Sequence, residues 1–67
     1  MTVEEAEAWF GNLHAACVKL KIAPQNSTKW KHQGYIPWKQ QFKIALLTEG
    51  ELMPDDEDPY LLKIQGK

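Results

Sequence analysis

NLHAACVKLKIAPQNSTKWKHQGYIPW, residues 12–38, has the layout of two short helices joined by a tight turn and followed by the opening of another. Asn12 is a natural N-cap, because its side chain can accept from an N–H that the first helical turn leaves free. Ala15, Ala16, Cys17 and Leu20 give the helix expected over 13–20 a small-residue face that lets a neighbouring helix approach closely. Lys21, Ile22 and Ala23 form the turn, with Ile22 directed inward. Pro24 suits the first position of a helix over 24–33, where a missing N–H deprives no partner, and Gly34 suits its end. On that helix Ser27, Trp30 and Gln33 face inward, and Gln25, Thr28, Lys29 and His32 face outward. The spacing of Trp30 from Ile22 makes it a core anchor.

Charge is segregated along the chain. Between Asn12 and Lys43 there are six lysines, two histidines and no carboxylate, whereas every acidic residue precedes Phe10 or follows Thr48. The formal net charge of −1 therefore hides a strongly basic middle, the electrostatic signature of a polyanion-binding surface. The outward residues of the second helix suit duplex DNA: Gln and Asn pair with adenine, Lys donates to guanine or phosphate, and Thr meets a thymine methyl.

Toward the N-terminus, Thr2 followed by Glu5 forms a capping box, and Val3, Ala6, Trp9 and Phe10 recur at helical spacing. A first helix is expected over 3–10, with Glu4, Glu5 and Glu7 solvated near its positive end and Gly11 closing it. Toward the C-terminus, Ile36 and Pro37 open a fourth helix that runs through Phe42, Ala45, Leu46 and Thr48 to a stop near Gly50. Ile44 and Leu47 also ask for burial, so this helix is apolar over more than one face, and a second protomer is expected to cover part of it. Trp38 either packs across the end of the preceding helix or stands exposed toward a partner. The acidic run 55–58 reads as a solvated loop, and the segment 60–64 as a short fifth helix in preference to an edge strand.

Sixty-seven residues make one domain, with a core over about 2–52 and an acidic and apolar tail over 53–67. A chain of this size buries only about 60% of the surface it exposes when unfolded, so a few large anchors, here Trp9, Phe10, Trp30 and Phe42, must carry the core. Cys17 is alone, which excludes an internal disulfide and fits a small buried hydrophobe. One Cys with His14 and His32 lacks zinc-ligand spacing, so no metal or other cofactor is expected. There is no phosphate-binding glycine loop, no nucleophile beside a base and little room for a substrate cleft, so neither an enzyme nor a small-molecule substrate is expected. No apolar run approaches membrane-spanning length and no signal-peptide core is visible, which implies a soluble, cytoplasmic chain without membrane contact.

The order FGNLHAACVKLKIAPQNSTKWK (10–31), then YIPWKQQFKIALLTEGEL (35–52), resembles the Cro repressors of lambdoid phages and the related Cro-like or YdaS-type helix-turn-helix regulators. The shared landmarks are the Phe-Gly pair before an alanine-rich helix, the Trp followed by Lys, the Ile-Pro opening and the Thr-x-Gly-x-Leu close. Departures are Lys21 where glycine is usual at the turn, Ser27 where Val or Ile is commoner, and Leu13 where Gln is frequent. The resemblance implies a mainly α, four- to five-helix domain of lambda-repressor-like architecture, acting as a repressor on double-stranded operator DNA as a homodimer.

Under the resemblance, Pro24, Gln25, Asn26, Thr28, Lys29 and His32 would face the bases, and Lys19, Lys21, Lys31 and Lys39 the phosphates. Asn12 and His14, at a helix start, join the phosphate set, His14 with an idle surface role as the alternative. Phe42, Leu46, Leu52, Tyr60, Leu61 and Ile64 are expected at the dimer interface, with the acidic run beside that interface and away from DNA. An excisionase-like architectural protein and a protein-interaction module that ignores DNA are the alternatives.

Overall fold

A computed structural model describes residues 1–65 and consists of five helices: α1 (Val3–Phe10), α2 (Leu13–Lys19), α3 (Asn26–Gln33), α4 (Trp38–Leu47) and α5 (Pro59–Gln65). There is no strand among the described residues, so the mainly α expectation holds and the fifth element is a helix. Residues 66 and 67, the end of the expected tail, lie outside the described residues.

Thr2 begins α1 through the capping box: its Oγ1 accepts from Glu5 N at 3.0 Å, and the Glu5 carboxylate accepts from Thr2 N at 2.8 Å. Gly11 ends the helix at φ 98°, and Asn12 caps α2 at once, its Oδ1 accepting from Ala15 N at 2.7 Å. Two orphan ends are thus satisfied within two residues, which brings α1 and α2 together without a linker.

Both α2 and α4 end in the same way, by a Schellman motif in which a side-chain-bearing residue takes the left-handed position usually filled by glycine. After α2, Lys21 N donates to Val18 O (3.0 Å) and Ile22 N to Cys17 O (3.1 Å), with Lys21 at φ 62°. The expected departure at the turn is therefore resolved in favour of a strained lysine, and Ile22 packs against the core as expected. After α4, Glu49 N donates to Leu46 O (3.2 Å) and Gly50 N to Ala45 O (2.9 Å), with Glu49 at φ 55° and Gly50 at φ 84°. Because a Cβ is strained in this region, Glu49→Gly is expected to stabilise the domain by about 0.5–1 kcal/mol net of the entropy that glycine adds to the unfolded chain. Urea denaturation checks this, and an unchanged or lowered midpoint would mean that the Glu49 side chain offsets the strain.

α3 starts later than the sequence indicates, at Asn26 in place of Pro24. Asn26 N and Ser27 N bond three residues back, to Ala23 O and Pro24 O, both at 3.0 Å, and the Asn26 Nδ2 and Ser27 Oγ groups return to the same two carbonyls at 2.9 and 2.8 Å. Side chains that bond the local backbone compete with regular helix bonding, so Pro24 and Gln25 belong to a tight turn that feeds the helix. Pro37 likewise stands one position before α4, in an extended conformation.

The core comprises Met1, Val3, Ala6, Leu13, Cys17, Trp30, Ile36 and Ile44, with Phe10, Leu20, Ile22 and Leu52 packed at its margin. Two expected anchors are corrected: Trp9 and Phe42 are 47% and 49% exposed. At about 100° per residue, Val3, Ala6 and Phe10 fall within roughly 60° of arc on α1, and Trp9 lies about 60° beyond it. Its ring packs edge-on against Phe10, centroids 4.9 Å apart, instead of entering the core. On α4 the inward arc is Gln41, Ile44 and Thr48, which leaves Phe42 and Leu46 on the other face. Cys17 is fully buried, and burial pushes its thiol pKa up, away from thiolate reactivity.

Gln41 has no exposed surface and joins three parts of the chain. Its Nε2 donates to Ile36 O (2.8 Å) and Asp55 Oδ2 (3.0 Å), and its Oε1 accepts from Asp55 N (2.8 Å) and from the Met1 amino group (3.4 Å). That amino group also donates to Met53 O at 2.7 Å and pairs with Asp55 Oδ1 at 2.8 Å. Trp38 Nε1 donates to Asp55 O at 2.9 Å, and its ring lies 5.4 Å from that of Phe42. Asp55 thus leaves the expected solvated acidic loop to become the clasp between the tail and α4, and Trp38 packs against Phe42 and the tail.

Candidate functional site

Opposite Trp30, Thr28, Lys29 and His32 of α3 and Gln25 at its N-cap lie within an arc of about 100°. All four are exposed, and among the described residues none of their side chains has a hydrogen-bond or ion-pair partner within the chain. Trp30 fixes this arrangement from behind: it is 1% exposed, so the rotation of α3 about its axis is set by the core, and the outer residues follow. Pro24 is exposed beside them in the turn. Asn26 departs from expectation, since it is partly buried and its amide nitrogen is held by Ala23 O. It shapes the turn instead of extending outward.

Exposed lysines lie on α3 and on the elements before and after it. Lys19 lies in the last turn of α2, Lys21 at its left-handed end, Lys29 on α3 and Lys39 in the first turn of α4, and all are exposed. Lys43, to which sequence reasoning assigned no role, is exposed one helical turn after Lys39, and the spacing of four was the signal for it. Lys31 is exposed but already engaged with Glu7 at 2.9 Å. An exposed pair of this kind contributes little to stability and yields readily to another anion. His14 is exposed, and Asn12 is occupied through Oδ1 as the α2 cap while its Nδ2 remains free among the described residues.

Two surface depressions adjoin α4. One lies at its N-terminal end, a cleft of about 490 Å³ lined by Lys29, Gln33, Tyr35, Trp38, Lys39, Gln40, Asp58 and Tyr60. The acidic run is thus corrected in position: Asp58 shares a cleft with two of the basic residues, where it was expected to lie away from them. The other is an apolar groove toward the C-terminal half of α4, formed by Phe42, Ala45, Leu46, Glu49, Gly50, Met53 and Pro54. Leu46 is 83% exposed on it. Leu52, expected at the interface, is partly buried and packs on the core margin. Tyr60, Leu61 and Ile64 are about half exposed on α5.

No group of three or more His, Cys, Asp or Glu side chains suited to a metal ion occurs among the described residues, and no described helix is long and apolar enough to cross a membrane. No protein-family model, no curated protein and no solved structure matches the chain.

Proposed function

We propose that this chain is a sequence-specific DNA-binding transcriptional repressor of the Cro-like, phage or prophage type, which acts in the bacterial cytoplasm. α3 lies in the major groove of operator DNA, where Gln25, Thr28, Lys29 and His32 read base edges with Pro24 beside them. Lys19, Lys21, Lys39 and Lys43 meet phosphates, which sets affinity and register without reading sequence. The observation that carries this reading is the arc of four exposed, internally unpartnered polar side chains on α3, set opposite a buried tryptophan and within an acid-free basic run.

One recognition helix contacts only a few base pairs, so two copies act together on half-sites about one helical turn apart. The apolar groove of Phe42, Leu46 and Met53 is the surface we assign to the second copy. It lies toward the end of α4 remote from Lys39, and most of its wall is apolar side chain that a lone protomer leaves in water.

The test is a binding titration by fluorescence anisotropy across salt concentrations, on an operator selected from a random duplex pool. With about four phosphate contacts per protomer, the log–log slope is expected at roughly −3 to −4 per protomer. Gln25→Ala and Lys29→Ala are each expected to cost about 1–3 kcal/mol on the selected site and to flatten preference at one base pair, whereas Lys39→Ala weakens all sequences alike. Equal losses on selected and random DNA for the α3 variants would remove α3 from the reading role. Absence of binding at low salt would overturn the DNA reading as a whole.

A further inference from the structure

The tail returns to the basic surface instead of leaving it. Lys63 on α5 donates from Nζ to Gln33 O at 2.7 Å, which satisfies a carbonyl at the C-terminal end of α3, and its ammonium lies 5.5 Å over the Tyr35 ring. A cation at this end of a helix is favoured by the helix dipole. Asp58 Oδ1 accepts from Tyr60 N at 2.9 Å and so starts α5. At the other end of the tail, Asp55 is clasped by Gln41 and Trp38. Residues 56–58 are therefore strung between two fixed points, and Asp58 lines the same cleft as Lys29 and Lys39.

Asp58 does not neutralise those lysines. The ion pairs among the described residues are Met1 with Asp55 and Lys31 with Glu7, so Lys29 and Lys39 face Asp58 across open space. α5 is weakly held: Pro59 is buried, but Tyr60, Leu61, Leu62 and Ile64 are each about half exposed. An element with so little buried apolar surface opens at low free-energy cost.

Resting on the DNA reading above, we infer that residues 56–58 together with α5 form a built-in competitor for the phosphate backbone, held against the flank of the reading helix by the Lys63 tether. A phosphate approaching Lys29 and Lys39 meets the carboxylate of Asp58, and the exposed Asp56 and Glu57 precede it in the chain. Each like-charge pair at roughly 10 Å in water changes affinity only about twofold, but three carboxylates acting on several phosphates change it by about five- to tenfold at low salt. Screening shrinks the effect as salt rises.

The test uses the full chain and a 20-base-pair duplex of mixed sequence. Asp56→Asn/Glu57→Gln/Asp58→Asn keeps an acceptor at the start of α5 and leaves Asp55 intact. It is expected to bind about five- to tenfold more tightly at 25 mM salt, with the gain largely gone at 300 mM. Glu4→Gln/Glu5→Gln/Glu51→Gln changes net charge equally at exposed positions elsewhere, keeps an acceptor in the capping box, and is expected to gain less than twofold. Lys63→Ala removes a cation, which by charge alone weakens DNA binding. Through loss of the tether it is expected to strengthen binding instead, about two- to threefold, and to speed hydrogen exchange in α5. Equal gains from the two triple variants, or weaker binding by Lys63→Ala with unchanged exchange in α5, would overturn the competitor while leaving the DNA reading in place. If neither the parent chain nor any variant binds DNA, both fall together.

Discussion

Replacing Trp30 by alanine is expected to remove about 3–5 kcal/mol, a third or more of the stability of a domain this size. The indole is the largest fully buried side chain, and it holds α3 against Leu13 and Cys17 of α2 within the same cluster. Removing such a side chain costs about 3–5 kcal/mol in lost transfer energy and unfilled cavity. A domain of this size has roughly 3–10 kcal/mol in total. Circular dichroism against urea concentration reads the loss directly, and Trp30→Phe, which keeps most of the ring volume, should retain a cooperative transition. A loss for Trp30→Ala below about 1 kcal/mol would show that α3 is held mainly by its turn and its flanking contacts.

Gln41→Leu is expected to cost about 2–4 kcal/mol, although it places an apolar side chain of similar size in an apolar core. The reason lies in what it leaves behind. Ile36 O and the Asp55 N–H each lose a short hydrogen bond, the Asp55 carboxylate loses a donor, and the Met1 amino group loses an acceptor. Each buried polar group without a partner costs about 1–3 kcal/mol, more than the leucine regains by burial. Hydrogen exchange of the Asp55 amide should accelerate in Gln41→Leu far beyond what the global stability loss accounts for, because the clasp opens locally. Uniform acceleration across the chain would show that Gln41 supports the core without holding the tail. The same clasp bears on truncation: a chain ending before Pro54 loses Asp55, so its loss of function would report instability, and the loss of α5 is better produced by stopping after Asp58.

Local rules were legible where the deciding groups are neighbours in sequence. The capping box at Thr2 and Glu5, the Asn12 cap, the glycine stops at Gly11 and Gly34, and the inward Trp30 depend on residues three or four apart, and all stand as read. The outward set Gln25, Thr28, Lys29 and His32 was legible for the same reason: once Trp30 is inside, helical geometry places them outside. Pro24 and Gln25 were misplaced within the helix because side-chain bonds from Asn26 and Ser27 to the turn carbonyls delayed its start, a competition between two local options that composition does not rank.

By itself the sequence determined the first four helices, the cap that opens α1, the stops that divide the chain, and the segregation of a basic middle from acidic ends, while the helical state of the last segment came from the structure. Each of these follows from spacing or from the conformational limits of single residues. Which face of α4 turns inward was decided only by the tertiary structure. Phe42 and Leu46 are more apolar than Gln41 and Thr48, yet the polar pair is buried because the tail and the chain start supply its hydrogen bonds, through groups as far as 40 residues away in sequence. The place of Asp58 beside Lys29 and Lys39 was decided in the same way. A charge run is solvated by default, and only the clasp at Asp55 and the tether at Lys63 bring it back to the basic surface.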